Sequence, residues 1–338
     1  MADGSSQADR APLVHRRFPG TADTLPHLPI CSLPTPVRAA PGLGEDVWVK
    51  DDALSADPWG GNKPRKLEWI LAGAQAAGYR TILTFGGIGT NHGLATALYA
   101  RRAGMDCVLA LAEQPRTEEV ERQLARLRAA ATHVHLTGSS RRTALAAPLL
   151  ALRYAQLRPP RPPYLLPPGG SSPLGAVGFV EAALELAAQV EAGELPEPAA
   201  VAVALGSGGS AAGLAAGLAI AGLRTRVDAV LVNDQLKLTE AAVLRLARRT
   251  LRLLAKRGAD VGGIEPGEVR VVRGFMGAGY GHATPEADEA RRLAADAEGL
   301  ALDPVYTGKA LAAIRAGASG GGPVLFWNTN NGRPYPGG

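Results

Sequence analysis

Short apolar runs alternate with helical patterns along most of this chain, and glycine-rich turns join them. Val47 to Lys50 precedes a helical stretch from about Pro64 to Ala77. Thr81 to Phe85 precedes one from about Gly93 to Ala103, and Cys107 to Ala112 one from Arg116 to about Ala131. Further apolar runs lie at His133 to Thr137, Ala199 to Leu205, Val227 to Val232 and Val269 to Val272. Long helical stretches cover about Leu174 to Glu191 and Thr239 to Lys256. Such alternation predicts an α/β fold, a parallel sheet with helices on both faces. The proline-rich stretch from Arg158 to Pro163 marks a crossover. At 338 residues the chain is expected to form one large or two medium domains.

The bulk properties narrow the function. The net charge of +5 is spread along the chain. A nucleic-acid face needs a concentrated basic patch, so nucleic acid is not the expected partner, whereas anionic small substrates are favoured. The arginine-bearing stretch from Thr239 to Lys256 carries apolar residues at helical spacing (Val243, Leu246, Leu251, Leu254) and reads as half-buried. Cys31 and Cys107 are the only cysteines, which predicts neither a disulfide framework nor a zinc site and fits a reducing, cytoplasmic setting. His133 and His135 share a strand face without a third ligand nearby and are expected on the surface, with no metal. No apolar run is read as membrane-spanning, and no membrane partner is expected. Residues 1–24 carry acids and no apolar signal core, so they read as a flexible lead-in.

Five turns and one strand end carry the chemistry. The stretch from Gly60 to Glu68 reads GGNKPRKLE and holds two of the chain's six lysines, against thirty arginines. Glycines let a backbone approach a ligand, and Pro64 suits a helix start while biasing Lys63 to sit just outside it. Lys63 is a candidate for an imine with an aldehyde cofactor, because only a primary amine forms one. Ser207, Gly208, Gly209 and Ser210 follow a strand and open a helix, which suits an isolated phosphate. The loop lacks the lysine of a nucleotide-triphosphate loop. Gly86 to His92 is a second strand-to-helix turn, and Thr90, Asn91 and His92 there suit a substrate carboxylate or serve as a plain helix cap. Tyr280 in a Gly-Tyr-Gly turn and Tyr306 in Asp303 to Lys309 are further candidates. Thr329 ends the late apolar run at Phe326, where α/β sites form.

Together these motifs resemble the pyridoxal-phosphate enzymes of fold type II that include D-cysteine desulfhydrase and 1-aminocyclopropane-1-carboxylate (ACC) deaminase. The resemblance covers about residues 28–329. It implies a two-domain, tryptophan synthase β-like fold with parallel-rich sheets flanked by helices. The small domain would span 67–172, and the large one would combine 25–66 with 173–338. It implies pyridoxal 5'-phosphate on Lys63, with Lys66 and Ser207 to Ser210 at the phosphate. Asn91 would lie beside the phenolic oxygen and Thr329 at the pyridine nitrogen. Thr90 would lie near the substrate, with Tyr280 as acid/base partner and Tyr306 positioning ring or substrate. Thr307 stands where ACC deaminases are expected to carry Glu near that nitrogen, which favours the desulfhydrase branch. Gly89-Thr90 in place of Gln-Ser, Pro64 after the lysine, and Asn330-Asn331 in place of a glycine pair depart from the family pattern. The expected activity is β-elimination from a small amino acid by a homodimeric carbon-sulfur lyase. ACC deamination, or cofactor binding without turnover, are the alternatives.

Overall fold

The computed structural model describes residues 11–157 and 159–335. Ten helices run in chain order. They are α1 (Leu13–Arg17), α2 (Asn62–Ala76), α3 (Asn91–Arg102), α4 (Glu118–Ala130), α5 (Ser140–Arg153), α6 (Pro173–Glu191), α7 (Gly209–Ala221), α8 (Glu240–Lys256), α9 (Pro285–Glu298) and α10 (Thr307–Arg315). The strands are β1 (Val37–Ala39), β2 (Val47–Asp51), β3 (Thr81–Gly87), β4 (Asp106–Ala112), β5 (His133–Gly138), β6 (Gln156–Leu157), β7 (Pro160–Arg161), β8 (Tyr164–Leu166), β9 (Ala200–Leu205), β10 (Arg226–Leu231), β11 (Val269–Val272) and β12 (Val324–Asn328).

Two sheets result. The smaller has the order β5-β4-β3-β8 and is parallel throughout. The larger has the order β1-β2-β12-β9-β10-β11 and is parallel except for β1, which pairs antiparallel with β2 at the edge. All strands of the smaller sheet come from 81–166, and those of the larger from 37–51 and 200–328. Parallel strands buried on both faces need continuous apolar side chains. Val201, Ala202 and Val203 of β9 and Leu109, Ala110 and Leu111 of β4 are accordingly all fully buried.

Helix α2 ties the two layers together. Trp69 packs in the core with α6 and α7, whereas Leu67, Ile70 and Leu71 pack under the smaller sheet. Arg65 on the same helix is fully buried and bonds to Asp52 (Nε to Oδ2, 3.0 Å) and Glu185 (Nη1 to Oε2, 2.9 Å). Lys50 also reaches Glu185, and the Trp327 indole donates to Asp52 at 2.8 Å. The charges of this cluster are thus paired, which is the condition for holding them in a core.

Four expectations change. Residues 11–24 are not a loose lead-in. The α1 helix is docked with Val14 and Phe18 in the core, and its N–H groups at Leu13 and Val14 donate to Glu181. The first ten residues lie outside the described ones. Helix α6 is long and apolar enough to span a membrane by length and composition. Its Val177, Phe179, Val180 and Leu186 are instead buried in the core beside α7. The crossover after α5 contains a short antiparallel pair, β6 with β7. His133 is exposed as expected, but His135 is half-buried, its Nε2 meeting the Tyr154 hydroxyl at 2.8 Å.

Candidate active site

The carboxyl ends of β3, β8, β9, β10 and β12 open onto one cleft between the two sheets. That is where open α/β sheets gather ligands. Lys63, Lys66, Thr90, Asn91, His92, Ser207, Gly208, Gly209, Ser210, Tyr280, Tyr306 and Thr329 all line it. Residues 266 positions apart in sequence therefore share one site, and the amino ends of α2, α3, α7 and α10 converge on it.

The lysine corner is built by close backbone packing. A side chain on Gly60 would overlap the Ala53 carbonyl, and one on Gly61 would come within 2.8 Å of the Thr329 oxygen. Gly61 also has φ +83°, a left-handed value that favours glycine, and it caps α2. The Gly60 N–H donates to Asn331 Oδ1 at 2.6 Å and that of Gly61 to the Asp52 carbonyl at 2.7 Å. Asn331, one of the departures from the family pattern, thus clamps this turn. Lys63 was expected just outside the helix, but it is the second residue of α2. Pro64 then falls at the third position. Its missing N–H is there one of the first-turn donors without an intrahelical acceptor, so the helix starts earlier without losing a hydrogen bond. Lys63 Nζ donates to Asn62 Oδ1 at 2.8 Å. Burial brings its amine down to about 8, with Asp303 pulling the other way.

The second corner is shaped for an anion. Gly208, at φ +90°, caps α7, and the Gly209 N–H at the helix start donates to Ser171 Oγ at 3.0 Å. Ser171 Oγ also meets Ser207 Oγ at 2.8 Å, and Asn62 Nδ2 donates to Ser210 Oγ at 3.2 Å. Lys66 is buried with its Nζ on the Gly169 carbonyl at 3.2 Å. Burial, then the neighbouring Lys63, hold it well below the ordinary lysine range. Among the described residues neither lysine has a carboxylate within ion-pair distance. Two amines and a helix start without a counter-charge fit a dianionic phosphate.

At the third corner Thr90 caps α3, its Oγ1 accepting from the Gly93 N–H at 3.2 Å. The N–H groups of Asn91 and His92 belong to that first turn and have no helical acceptor. Asn91 Oδ1 accepts from Gln123 Nε2 at 2.9 Å. His92 Nε2 meets Thr84 Oγ1 at 3.1 Å; that hydroxyl donates to the Leu166 carbonyl, so the ring nitrogen is the donor. Burial, Lys63 and Lys66 push the imidazole well below its ordinary value, so it is a neutral wall rather than a cation.

The fourth corner joins the two tyrosines by a hydrogen bond between their hydroxyls. Burial raises both, Tyr306 well above its ordinary value, so both stay protonated at neutral pH. Asp303 lines the cleft beside them and accepts from the N–H groups of Val305 (2.9 Å), Tyr306 (2.6 Å) and Thr307 (3.1 Å). Thr307 is fully buried, its hydroxyl bonded to Asp303 Oδ2 at 2.7 Å, and it is not among the cleft-lining residues. Thr307 stands where ACC deaminases are expected to carry Glu; as first residue of α10 its side chain is committed to the Asp303 cap.

Sequence reasoning missed Asn62, Ser171, Asp303 and Gln123. The first three sit inside or beside motifs that were singled out, so proximity could have flagged them. Gln123 lies mid-helix in α4 with no local signal.

The family model for pyridoxal-phosphate-dependent enzymes matches residues 31–330. D-cysteine desulfhydrase of Salmonella newport is 34% identical over 316 residues, covering 90% of this chain and 93% of the relative. The protein of Salmonella typhimurium with the same name matches to the same extent. Among solved structures, an ACC deaminase homologue superposes with a TM-score of 0.80 at 28% identity, covering 95% of both chains. A fungal L-serine ammonia-lyase from Rhizomucor miehei shares the fold, with a TM-score of 0.57 at 20% identity, covering 88% of this chain and 94% of that one.

Proposed function

This chain belongs to the pyridoxal-phosphate-dependent enzymes, and from that premise we propose that it catalyses β-elimination from a small amino acid of the D-cysteine kind. With D-cysteine and one water the products would be a 2-oxo acid, ammonia and sulfide. The observation that carries the reading is geometric: the Lys63 amine lines the same cleft as the hydrogen-bonded Tyr280–Tyr306 pair, and desolvation there lowers that amine.

Bound pyridoxal phosphate supplies an aldehyde for the substrate amine and a ring that takes up the electron pair left at the α-carbon. Lys63 would hold it covalently at rest. Lys66 and Ser207 to Ser210 would hold its phosphate, Asn91 its phenolic oxygen, and Thr329 its ring nitrogen. The free N–H groups of Asn91 and His92, with the Thr90 hydroxyl, take the substrate carboxylate. Once displaced, the Lys63 amine is partly unprotonated near neutral pH and can accept the α-proton. Tyr280 gives a proton to the departing sulfur, and Tyr306 holds its hydroxyl in place. Both tyrosines are suited to donate because both are kept protonated.

The name of the 28%-identical structural relative raises ACC ring opening as the competing reading. Incubation with a panel of D- and L-amino acids and ACC, with detection of 2-oxo acids, separates the two. β-Substituted D-amino acids should react fastest, and the Lys63→Ala variant should release no product. ACC consumed faster than every β-substituted amino acid would overturn the assignment. The same reading makes the protein a cytoplasmic homodimer. The buried free thiols Cys31 and Cys107 agree with a reducing compartment, and sedimentation velocity tests the dimer.

A further inference from the structure

We infer that Gln123 is a positioning residue that forces Asn91 to face the cofactor as a hydrogen-bond donor. The inference rests on the reading above that Asn91 holds the cofactor's phenolic oxygen. A primary amide has two ends of nearly the same shape and opposite hydrogen-bonding sense, so an asparagine beside an oxygen anion helps or harms according to which end it presents. The surroundings of Asn91 decide this one residue at a time. Arg126, on the outer side of α4, can only donate, and its Nη1 reaches Gln123 Oε1 at 3.3 Å. That fixes the carbonyl end of Gln123 toward Arg126. The Nε2 end then points to Asn91 and donates to its Oδ1 at 2.9 Å. With Oδ1 taken, the Asn91 Nδ2 is left unpartnered among the described residues, on a side chain that lines the cleft.

The outer end of this relay is itself held. Glu119 Oε1 lies 3.2 Å from Arg126 Nη1, and the Arg126 guanidinium lies over the Tyr335 ring at 5.7 Å. Gln123 is 4% exposed, so water does not compete for its amide and the orientation passes inward undiluted. Among the described residues Gln123 makes no hydrogen bond to the phosphate corner or the tyrosine pair, and the one cleft-lining residue it bonds is Asn91.

The test compares two replacements at 123 with opposite consequences for Asn91. In Gln123→Glu the carboxylate keeps its partner at Arg126 but can only accept, so Asn91 must turn and present its carbonyl to the phenolic oxygen. In Gln123→Met both bonds vanish and Asn91 is free to keep its donor inward. The orienting role therefore predicts that Glu is the more damaging, although it retains more of the native contacts. A role in stability alone predicts the reverse.

Pyridoxal phosphate affinity of each variant is measured by titration. The pH midpoint of the bound cofactor's visible absorbance band is read as well. Gln123→Glu should weaken binding roughly tenfold to a hundredfold, the range for losing a hydrogen bond to a charged group. It should also move the midpoint upward, because an oxygen anion without its donor holds a proton more tightly. Gln123→Met should stay within a few-fold of wild type on both measures. Arg126→Glu turns the same relay from its accessible end, without a buried substitution, and should reproduce the Gln123→Glu shift even if the buried variant folds poorly. The inference is overturned if Gln123→Met is as impaired as Gln123→Glu, or if neither Glu variant moves the midpoint. Asn91→Ala tells which premise failed. If it shifts the midpoint while the Glu variants do not, the relay is wrong and the Asn91 reading stands; if it too has no effect, both fall.

Discussion

Lys66→Met should push the cofactor-bound and cofactor-free proteins in opposite directions. Lys66 is 2% exposed, with its ammonium on the Gly169 carbonyl at 3.2 Å and 3.0 Å from where a Cβ on Gly209 would sit, at the start of α7. Methionine has a similar unbranched stem, so the space the lysine stem fills beside Gly170 stays filled. With the phosphate bound, the substitution removes one charge-assisted hydrogen bond, about 1.5–3 kcal/mol, or roughly 10- to 150-fold in affinity. Without the cofactor the sign reverses. The folded-state pKa of Lys66 lies well below its ordinary 10.5 because of burial and Lys63, so charging it opposes folding at neutral pH. Deleting the amine removes that opposition, and the Gly169 carbonyl it leaves lies at the cleft, where water can reach it. The cofactor-free variant should thus melt no lower than wild type, while the rise in melting temperature on adding pyridoxal phosphate shrinks by the lost binding energy. Cofactor titration by fluorescence and thermal denaturation with and without cofactor read both halves. Affinity within twofold of wild type, or a cofactor-free variant melting several degrees lower, would refute the assignment of Lys66 to the phosphate.

Two further outcomes follow from the same geometry. Tyr280→Phe should slow elimination by roughly 10²–10⁴-fold while leaving cofactor affinity unchanged, as steady-state kinetics and titration would show; full activity would remove its acid role. Glu181 and Glu185, one turn apart on α6, should titrate with opposite effects on stability. Burial pushes Glu181 up to about 7 against its bonds from Leu13 and Val14, so its contribution is full below about 4.5 and is lost as pH rises through 7, about 3 kcal/mol in all. Glu185 is held down to about 2 by Arg65 and Lys50 despite its burial, so its contribution is present above about 4.5 and is lost as pH falls toward 2. The difference in melting temperature between Glu181→Gln and wild type should become more favourable to the variant from pH 5 to pH 8.5; a difference independent of pH would contradict this.

Much of the architecture could be read from local pattern. Strands such as Thr81–Gly87 and Ala200–Leu205 are continuous apolar runs because helices cover both of their faces, and a run of that length is visible in sequence. Helix α5 was not read, for a physical reason. Only Thr143 and Leu150 of its residues are buried, Pro148 sits inside it, and Leu145, Leu149 and Leu152 are exposed, so its apolar spacing does not report its packing. Helix α1 was missed because five residues ending in arginines have no intrinsic stability; Glu181, far along the chain, supplies the acceptors for its first N–H groups.

The site divides along the same line. Residue type and turn chemistry alone determined the candidates, because an imine needs an amine, an anion needs N–H donors at a helix start, and a close backbone approach needs glycine. Tertiary structure decided what those residues can do. It inserted β12 between β2 and β9, which brings Thr329 and Asn331 onto the Gly60-Gly61 turn. It buried Lys66 and half-buried Lys63, neither with a carboxylate at ion-pair distance, and turned Thr307 away from the cleft onto Asp303. It also set Gln123 behind Asn91. Hydrogen-bonding capacity is a property of a residue and travels with the sequence. Desolvation and partnership are properties of a place, and they come into being only when distant segments close around it.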